Sequence, residues 1–311
     1  MSPTESPRDG LLLVDKEPGL TSHDVVQRVR RVLKQKKIGH CGTLDPDATG
    51  LLLLTLGGAT RLTRFLIRAP KVYEGVVQLG SATDTYDASG TVTSAASPEA
   101  VAALTADAIA EAMGRFEGTI EQKPPPYSAK KVQGVKYYEL ARKGEEVPDE
   151  PKEVTVYEFA LLGGVVDGRL RFRLGCSSGT YARGLAHDLG LALGVGGHLA
   201  ELRRTRIGGF QVEQAITFAD LDERTKAGEG AGPSWIPFDQ IPLPFGEVMA
   251  DPQQESRISH GQTVLVRELA GEEGDWVKLV NRRKEFIAVG TVVERIGSAG
   301  VGIVQPRVVF R

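Results

Sequence analysis

The chain has 311 residues, 41% hydrophobic and 25% charged, with a formal net charge of −2, an ordinary globular balance that at about 100–200 residues per domain suggests two domains. No apolar run approaches the ~18 residues of a membrane-spanning helix. Two distant cysteines, Cys41 and Cys176, argue against a disulfide framework and for the cytoplasm, and the five histidines show no ligand spacing, so no metal or cofactor is expected.

Residues 1–10 lack the apolar core of a signal peptide and read as a disordered tail. Leu11 to Val14 predicts a buried strand, followed by a turn at Glu17-Pro18-Gly19. Ser22 is placed to cap a helix running to about Gln35, with Asp24 in its first turn. Val25, Val26, Val29, Val32 and Leu33 share one face of that helix, and Arg30, Arg31 and Lys34 the other. A glycine-framed loop from Gly39 to Gly50 leads into the apolar run Leu51 to Leu56.

Val72 to Leu79 predicts a strand and Val101 to Phe116 a single helix. Lys123 to Lys143 is a Pro- and Lys-rich insertion with a short helix expected near Tyr137 to Lys143. Val154 to Leu161 and Arg169 to Leu174 predict strands, and Thr180 to Leu193 a helix. The glycine-rich stretch Lys226 to Pro233 reads as a linker. Short strands at Thr263–Arg267, Trp276–Val280, Phe286–Glu294 and Val301–Phe310 then predict a small β module from about residue 240.

Charge is segregated along the chain. Val25 to Leu44 contains six basic residues and no acid, Lys123 to Lys143 opposes six with Glu139 alone, and Arg203, Arg204 and Arg206 form a third block. This distribution fits either a polyanion-binding face or solvated helix surfaces.

Asp45 precedes a proline, which pushes its backbone toward extended conformations. Between Gly42 and Gly50, it is either a functional carboxylate on an ordered loop or an Asx turn. Gly175-Cys176-Ser177-Ser178-Gly179 has the spacing of a nucleophile elbow. The preceding strand, however, alternates Arg169, Arg171 and Arg173 with apolar residues. That period of two fits a half-exposed antiparallel strand rather than the buried parallel strand of a hydrolase. No phosphate-binding glycine motif occurs.

Leu13 to Ser22, followed by Gly39-His40-Cys41-Gly42-Thr43-Leu44-Asp45-Pro46, resembles the bacterial TruB family of tRNA pseudouridine synthases. Further matches follow in order: Gly57 to Arg61, Lys71-Val72-Tyr73, Thr83 to Asp87, Pro125 to Ala129, Cys176 to Arg183 and His198 to Thr205. The resemblance spans about residues 11 to 210. Arg257 to Gln262 more weakly resembles a PUA-type RNA-binding barrel.

The resemblance implies an α+β pseudouridine synthase fold: a central mixed, largely antiparallel sheet flanked by helices at 11–235, and a C-terminal PUA-like β-barrel at 240–311. The insertion at 123–150 would contact RNA. The implied activity is isomerisation of uridine 55 in the tRNA T loop, through base flipping, glycosidic cleavage, rotation and rejoining through carbon.

By the same resemblance, Asp45 is the catalytic carboxylate, Tyr73 stacks on the target base, and Arg183 pairs with the aspartate. His40 contacts the flipped nucleotide, Tyr181 and Leu202 wall the base pocket, and Lys16 positions the loop or a phosphate. The expected partner is the T arm of tRNA, with the enzyme a cytoplasmic monomer needing no cofactor, metal or protein partner. A guide-RNA-dependent relative of the dyskerin type and a non-catalytic RNA-binding protein are the competing readings. Ala182 stands where the family commonly has a larger aliphatic residue, and residues 147–152 lack its usual basic side chains.

Overall fold

The computed structural model describes residues 9–126, 131–132, 135–136, 151–297 and 300–310. The first eight residues of the expected tail, and the helix expected near Tyr137, lie outside them. The described strands are β1 (Gly10–Lys16), β2 (Ile38–His40), β3 (Thr49–Leu56), β4 (Lys71–Leu79), β5 (Ser81–Thr83), β6 (Val92–Ala95), β7 (Gly118–Gln122), β8 (Lys131–Val132), β9 (Val135–Lys136), β10 (Lys152–Val166), β11 (Arg169–Cys176), β12 (Gly197–Ile207), β13 (Phe210–Gln211) and β14 (Trp235–Pro237). The β module adds β15 (Glu247–Met249), β16 (Val264–Val266), β17 (Trp276–Val280), β18 (Phe286–Ile296) and β19 (Val301–Val309). The described helices are α1 (Ser22–Val32), α2 (Thr63–Leu66), α3 (Pro98–Ala102), α4 (Ala106–Gly114), α5 (Ala182–Ala192), α6 (Phe218–Lys226) and α7 (Pro252–Ser259).

The main sheet runs β14-β1-β3-β12-β4-β11-β10-β7, with β2 and β13 paired to its side. Among these described pairings only β12 with β3 is parallel, so the sheet is mixed and largely antiparallel, as expected. Leu11–Val14 of β1 and Leu51–Leu54 of β3 are apolar at every step because both faces of these strands are covered. Leu11, Leu13, Leu51 and Leu53 face one core, while Leu12, Val14, Leu52 and Leu54 face another under α1 and α6. A third core lies where α4 and α5 cover β4, β11 and β12, around Val77, Phe172, Leu185 and Leu189. The arginines of β11 keep to the opposite face, where Arg169 meets Glu201 and Arg173 meets Glu74 and Glu158.

Three local expectations are corrected. The cap of α1 is Thr21, in a reciprocal box with Asp24, which frees the Ser22 hydroxyl for a tertiary contact. The helix expected from Val101 to Phe116 is broken into α3 and α4, because Thr105 takes an extended backbone and caps α4 through the Ala108 amide. The expected linker at 226–233 instead brings β14 back to pair with β1.

The β module has strand order β15-β17-β18-β19-β16, with register shifts along β18 that bend the sheet. It is not hung on a string: Phe286, Val289 and Val308 share a core with Leu11, Leu51 and Phe238. Phe65 meets Phe245 and Trp276 edge-on, with ring centroids 5.3 and 4.9 Å apart. No described helix is long and apolar enough to cross a membrane.

Candidate active site

The loop from Cys41 to Ala48 carries Asp45 out of β2 and back into β3. Its backbone polar groups find partners on three different elements, which is what an irregular segment needs in order to stay fixed. Ser22, at the start of α1, accepts from the Leu44 amide at 2.8 Å. Lys16, with no exposed surface, donates to the carbonyl of Pro46 at 2.7 Å. Arg204, 1% exposed, donates to the carbonyls of Leu51, Thr43 and Gly42.

The loop closes at Gly50, where φ is +99° and a Cβ would stand 2.3 Å from the Arg204 carbonyl. Gly50→Ala should therefore destabilise the protein by ~2–3 kcal/mol through backbone strain and displacement of β12. Thermal or denaturant unfolding measures this, and an unchanged midpoint would show that the parallel β3–β12 contact yields easily.

Arg183 lies near the N-terminus of α5 and reaches Asp45 side-on, with Nε 3.0 Å from Oδ2. Its Nη1 donates to Asp87 Oδ2 and to the Thr85 carbonyl, both at 3.1 Å. The start of α5 is itself fixed, because buried Gln122 accepts from the Tyr181 amide at 2.7 Å and donates to its carbonyl at 2.9 Å. Arg183 is buried at 7% while Asp45 keeps 44% of its side-chain surface: the cation is structural in depth and the carboxylate is open to a ligand. Partial desolvation in the cleft pushes the Asp45 carboxyl above its ordinary pKa, opposed by Arg183 and then Lys16, and reinforced by Asp87 and Asp47.

Asp45, Tyr73, Tyr181, Arg183 and Leu202 line one cleft of ≈340 Å³, within the ~300–1,000 Å³ typical of ligand pockets. Tyr73 lies buried on β4, where desolvation raises its hydroxyl pKa against the pull of Arg204. Lys16 sits beneath the loop rather than on the cleft wall. His40, at the end of β2, is likewise absent from the cleft lining; burial lowers its pKa, with the Gly42 backbone resisting. Among the described residues no group of three His, Cys, Asp or Glu side chains is placed to hold a metal.

Several residues here carry more than their sequence suggested. Of the third basic block only Arg204 is internal, while exposed Arg203 pairs with Asp15 through two contacts, at 3.0 and 2.7 Å. Asp87 completes the Arg183 network, and Gln122 and Ser22 hold the elements that carry it. Ser22 was legible as a helix cap and, like Asp87, as a member of a matching segment, and Gln122 only as a polar residue beside a strand end. Ser177, the serine of the apparent elbow, accepts from the Thr155 amide at 2.9 Å and does not line the cleft.

Residues 30–182 match the N-terminal domain of the TruB family pseudouridylate synthases, and residues 183–234 match the tRNA pseudouridylate synthase B C-terminal domain. The chain is 43% identical to tRNA pseudouridine synthase B of Solibacter usitatus over 287 residues, covering 92% of this chain and 96% of that protein. It is 45% identical to the protein of that name from Leifsonia xyli, covering 85% of each. Among solved structures it is similar to a chain of a Cbf5-Nop10-Gar1 complex, with 28% identity, a TM-score of 0.73, and coverage of 96% of this chain and 84% of that one. Matching in sequence over nearly its whole length, and in fold from the main sheet through the β module, the chain belongs to the TruB family of pseudouridine synthases.

Proposed function

We propose that this pseudouridine synthase acts on uridine 55 in the T loop of tRNA, with Asp45 as its catalytic carboxylate. The observation that carries this reading is an accessible carboxylate held by a buried arginine across a cleft that Tyr73 also lines. A stacked base must first be extruded, at a cost of a few kcal/mol. Stacking on Tyr73 returns about 1–3 kcal/mol, and Tyr181 and Leu202 enclose the base.

Cleavage of the N1–C1′ bond leaves its electron pair on uracil. Asp45 compensates C1′ by bonding to it or by removing a sugar proton; addition of Asp45 to base C6 is the third route. After rotation, C5 bonds to C1′, the carboxylate is regenerated, and the C5 proton is replaced by one at N1, so the reaction is a balanced isomerisation. Lys16 positions the Asp45 loop through Pro46, and His40 acts behind the cleft, toward the space the flipped nucleotide leaves.

Residues 11–235 serve as the catalytic unit and 240–311 as a PUA-like RNA-binding module, with the basic insertion at 123–150 closing on the RNA. The enzyme works in the cytoplasm as a monomer, without cofactor or protein partner. Incubation with an unmodified tRNA transcript, followed by mass mapping, should place pseudouridine at position 55. Binding should weaken steeply with salt, because phosphate contacts dominate affinity. Guide dependence, as in relatives of the dyskerin type, is the competing reading. Modification that appears only with an added guide RNA would favour it, and binding without product would favour a non-catalytic role.

A further inference from the structure

We propose that Lys71 is a further catalytic residue: its ammonium, buried at the cleft without a carboxylate partner among the described residues, stabilises the negative charge that uracil carries while detached from the sugar. This rests on the reaction proposed above. Lys71 begins β4 two residues before Tyr73, so the two side chains leave the same face of the strand, and both line the cleft.

Lys71 is 4% exposed, and its Nζ donates to the carbonyls of Ile67 at 2.6 Å and Ala69 at 2.8 Å. An ammonium has three donors, and these carbonyls occupy two. Among the described residues no carboxylate lies within ion-pairing distance of it, although a buried cation ordinarily has such a partner.

Among the described residues, the groups facing Lys71 from other elements supply no anion. Burial pushes the thiols of Cys176 on β11 and Cys41 on the loop up to about 11 and about 12, so both are neutral. Arg204 from β12 and Lys152 from β10 are cations. Asp45 in the cleft and Asp87 behind it are already held by Arg183.

The Tyr73 side of the cleft therefore carries uncompensated positive charge where the proposed chemistry generates an anion. Departure of the N1–C1′ electron pair spreads charge over uracil N1, O2 and O4, and addition at C6 would place it on O4. A fixed cation in a desolvated pocket stabilises such charge far more strongly than water-exposed lysine would. The bonds to Ile67 and Ala69 keep it from rotating away.

The test compares wild type, Lys71→Met and Lys71→Arg on tRNA transcripts bearing uridine or 5-fluorouridine at the target position, in single turnover near neutral pH. Fluorine stabilises the uracil anion by itself. Lys71→Met should therefore slow cleavage of uridine about 100-fold but of 5-fluorouridine less than about tenfold, with tRNA affinity unchanged. Lys71→Arg should keep most of the uridine rate.

Burial and Arg204 lower the Lys71 pKa to about 8. The wild-type rate should accordingly fall as pH rises through that value, while the Lys71→Arg rate should not. Equal losses on both substrates, or a loss matched by weaker tRNA binding, would reduce Lys71 to a staple of the Ile67–Ala69 turn. If Lys71→Met does not fold, the pH comparison of wild type with Lys71→Arg decides alone. A wild-type protein that makes no pseudouridine in the same assay would overturn the substrate reading instead.

Discussion

Replacing Asp45 with asparagine is expected to lower pseudouridine formation by at least about 10³-fold, the scale on which removing an essential reacting group acts. The amide has the shape of the carboxylate but can neither bond to C1′ nor accept a sugar proton. Affinity for tRNA should stay within about tenfold, because binding comes mainly from phosphate contacts elsewhere. Rapid-quench turnover and filter binding separate the two quantities.

The wild-type pH profile carries the same information. Asp45 must be ionised to react, and desolvation in the cleft, only partly offset by Arg183, raises its pKa. The rate should then fall as pH drops through a window above the usual carboxylate value of about 4. An acid limb at the ordinary position, or an Asp45→Asn variant that retains the rate, would remove Asp45 from the chemistry.

The sequence showed where the main strands are more readily than how the site is held. Leu11–Val14 and Leu51–Leu56 announce themselves because both faces of β1 and β3 are covered, which removes the usual alternation. Asp45 was different. Its local sequence fits an Asx turn as well as a reacting group, and only the ordered series of family motifs singled it out. Ser22 was read as the cap of α1, and what takes it from that role is tertiary: its hydroxyl is engaged by the Leu44 amide while Thr21 caps the helix.

Charge patterning failed at Arg204 because a run of arginines says nothing about depth. Arg204 is buried among loop carbonyls that satisfy its guanidinium, an environment assembled from residues about 150 positions away. The break at Thr105 was legible in principle, since Thr105 followed by Asp107 is a helix-start signal. The apolar residues on either side masked it.

Arg183→Met should cost about 10²–10³-fold in turnover, the range for removing one electrostatic donor from an enclosed site, and should move the acid limb to higher pH. The guanidinium stands between two carboxylates, 3.0 Å from Asp45 and 3.1 Å from Asp87. Without it the group that most strongly keeps Asp45 ionised is gone, and the repulsion from Asp87, which already raises the Asp45 pKa, meets only the weaker pull of Lys16. Asp45 then holds its proton further toward neutrality. The fold should lose ~2–3 kcal/mol, less than a fully buried pair would, because Asp45 remains open to solvent.

Lysine at 183 restores a charge but not the planar fork that engages Asp45, Asp87 and the Thr85 carbonyl together, so its rescue should be partial. The double variant Arg183→Met with Asp87→Asn is the stricter measurement. Neutralising Asp87 removes the repulsion and should bring the acid limb back down, even though it adds no contact to the substrate. If the limb stays where Arg183→Met left it, Arg183 acts on the geometry of Asp45 and not on its charge.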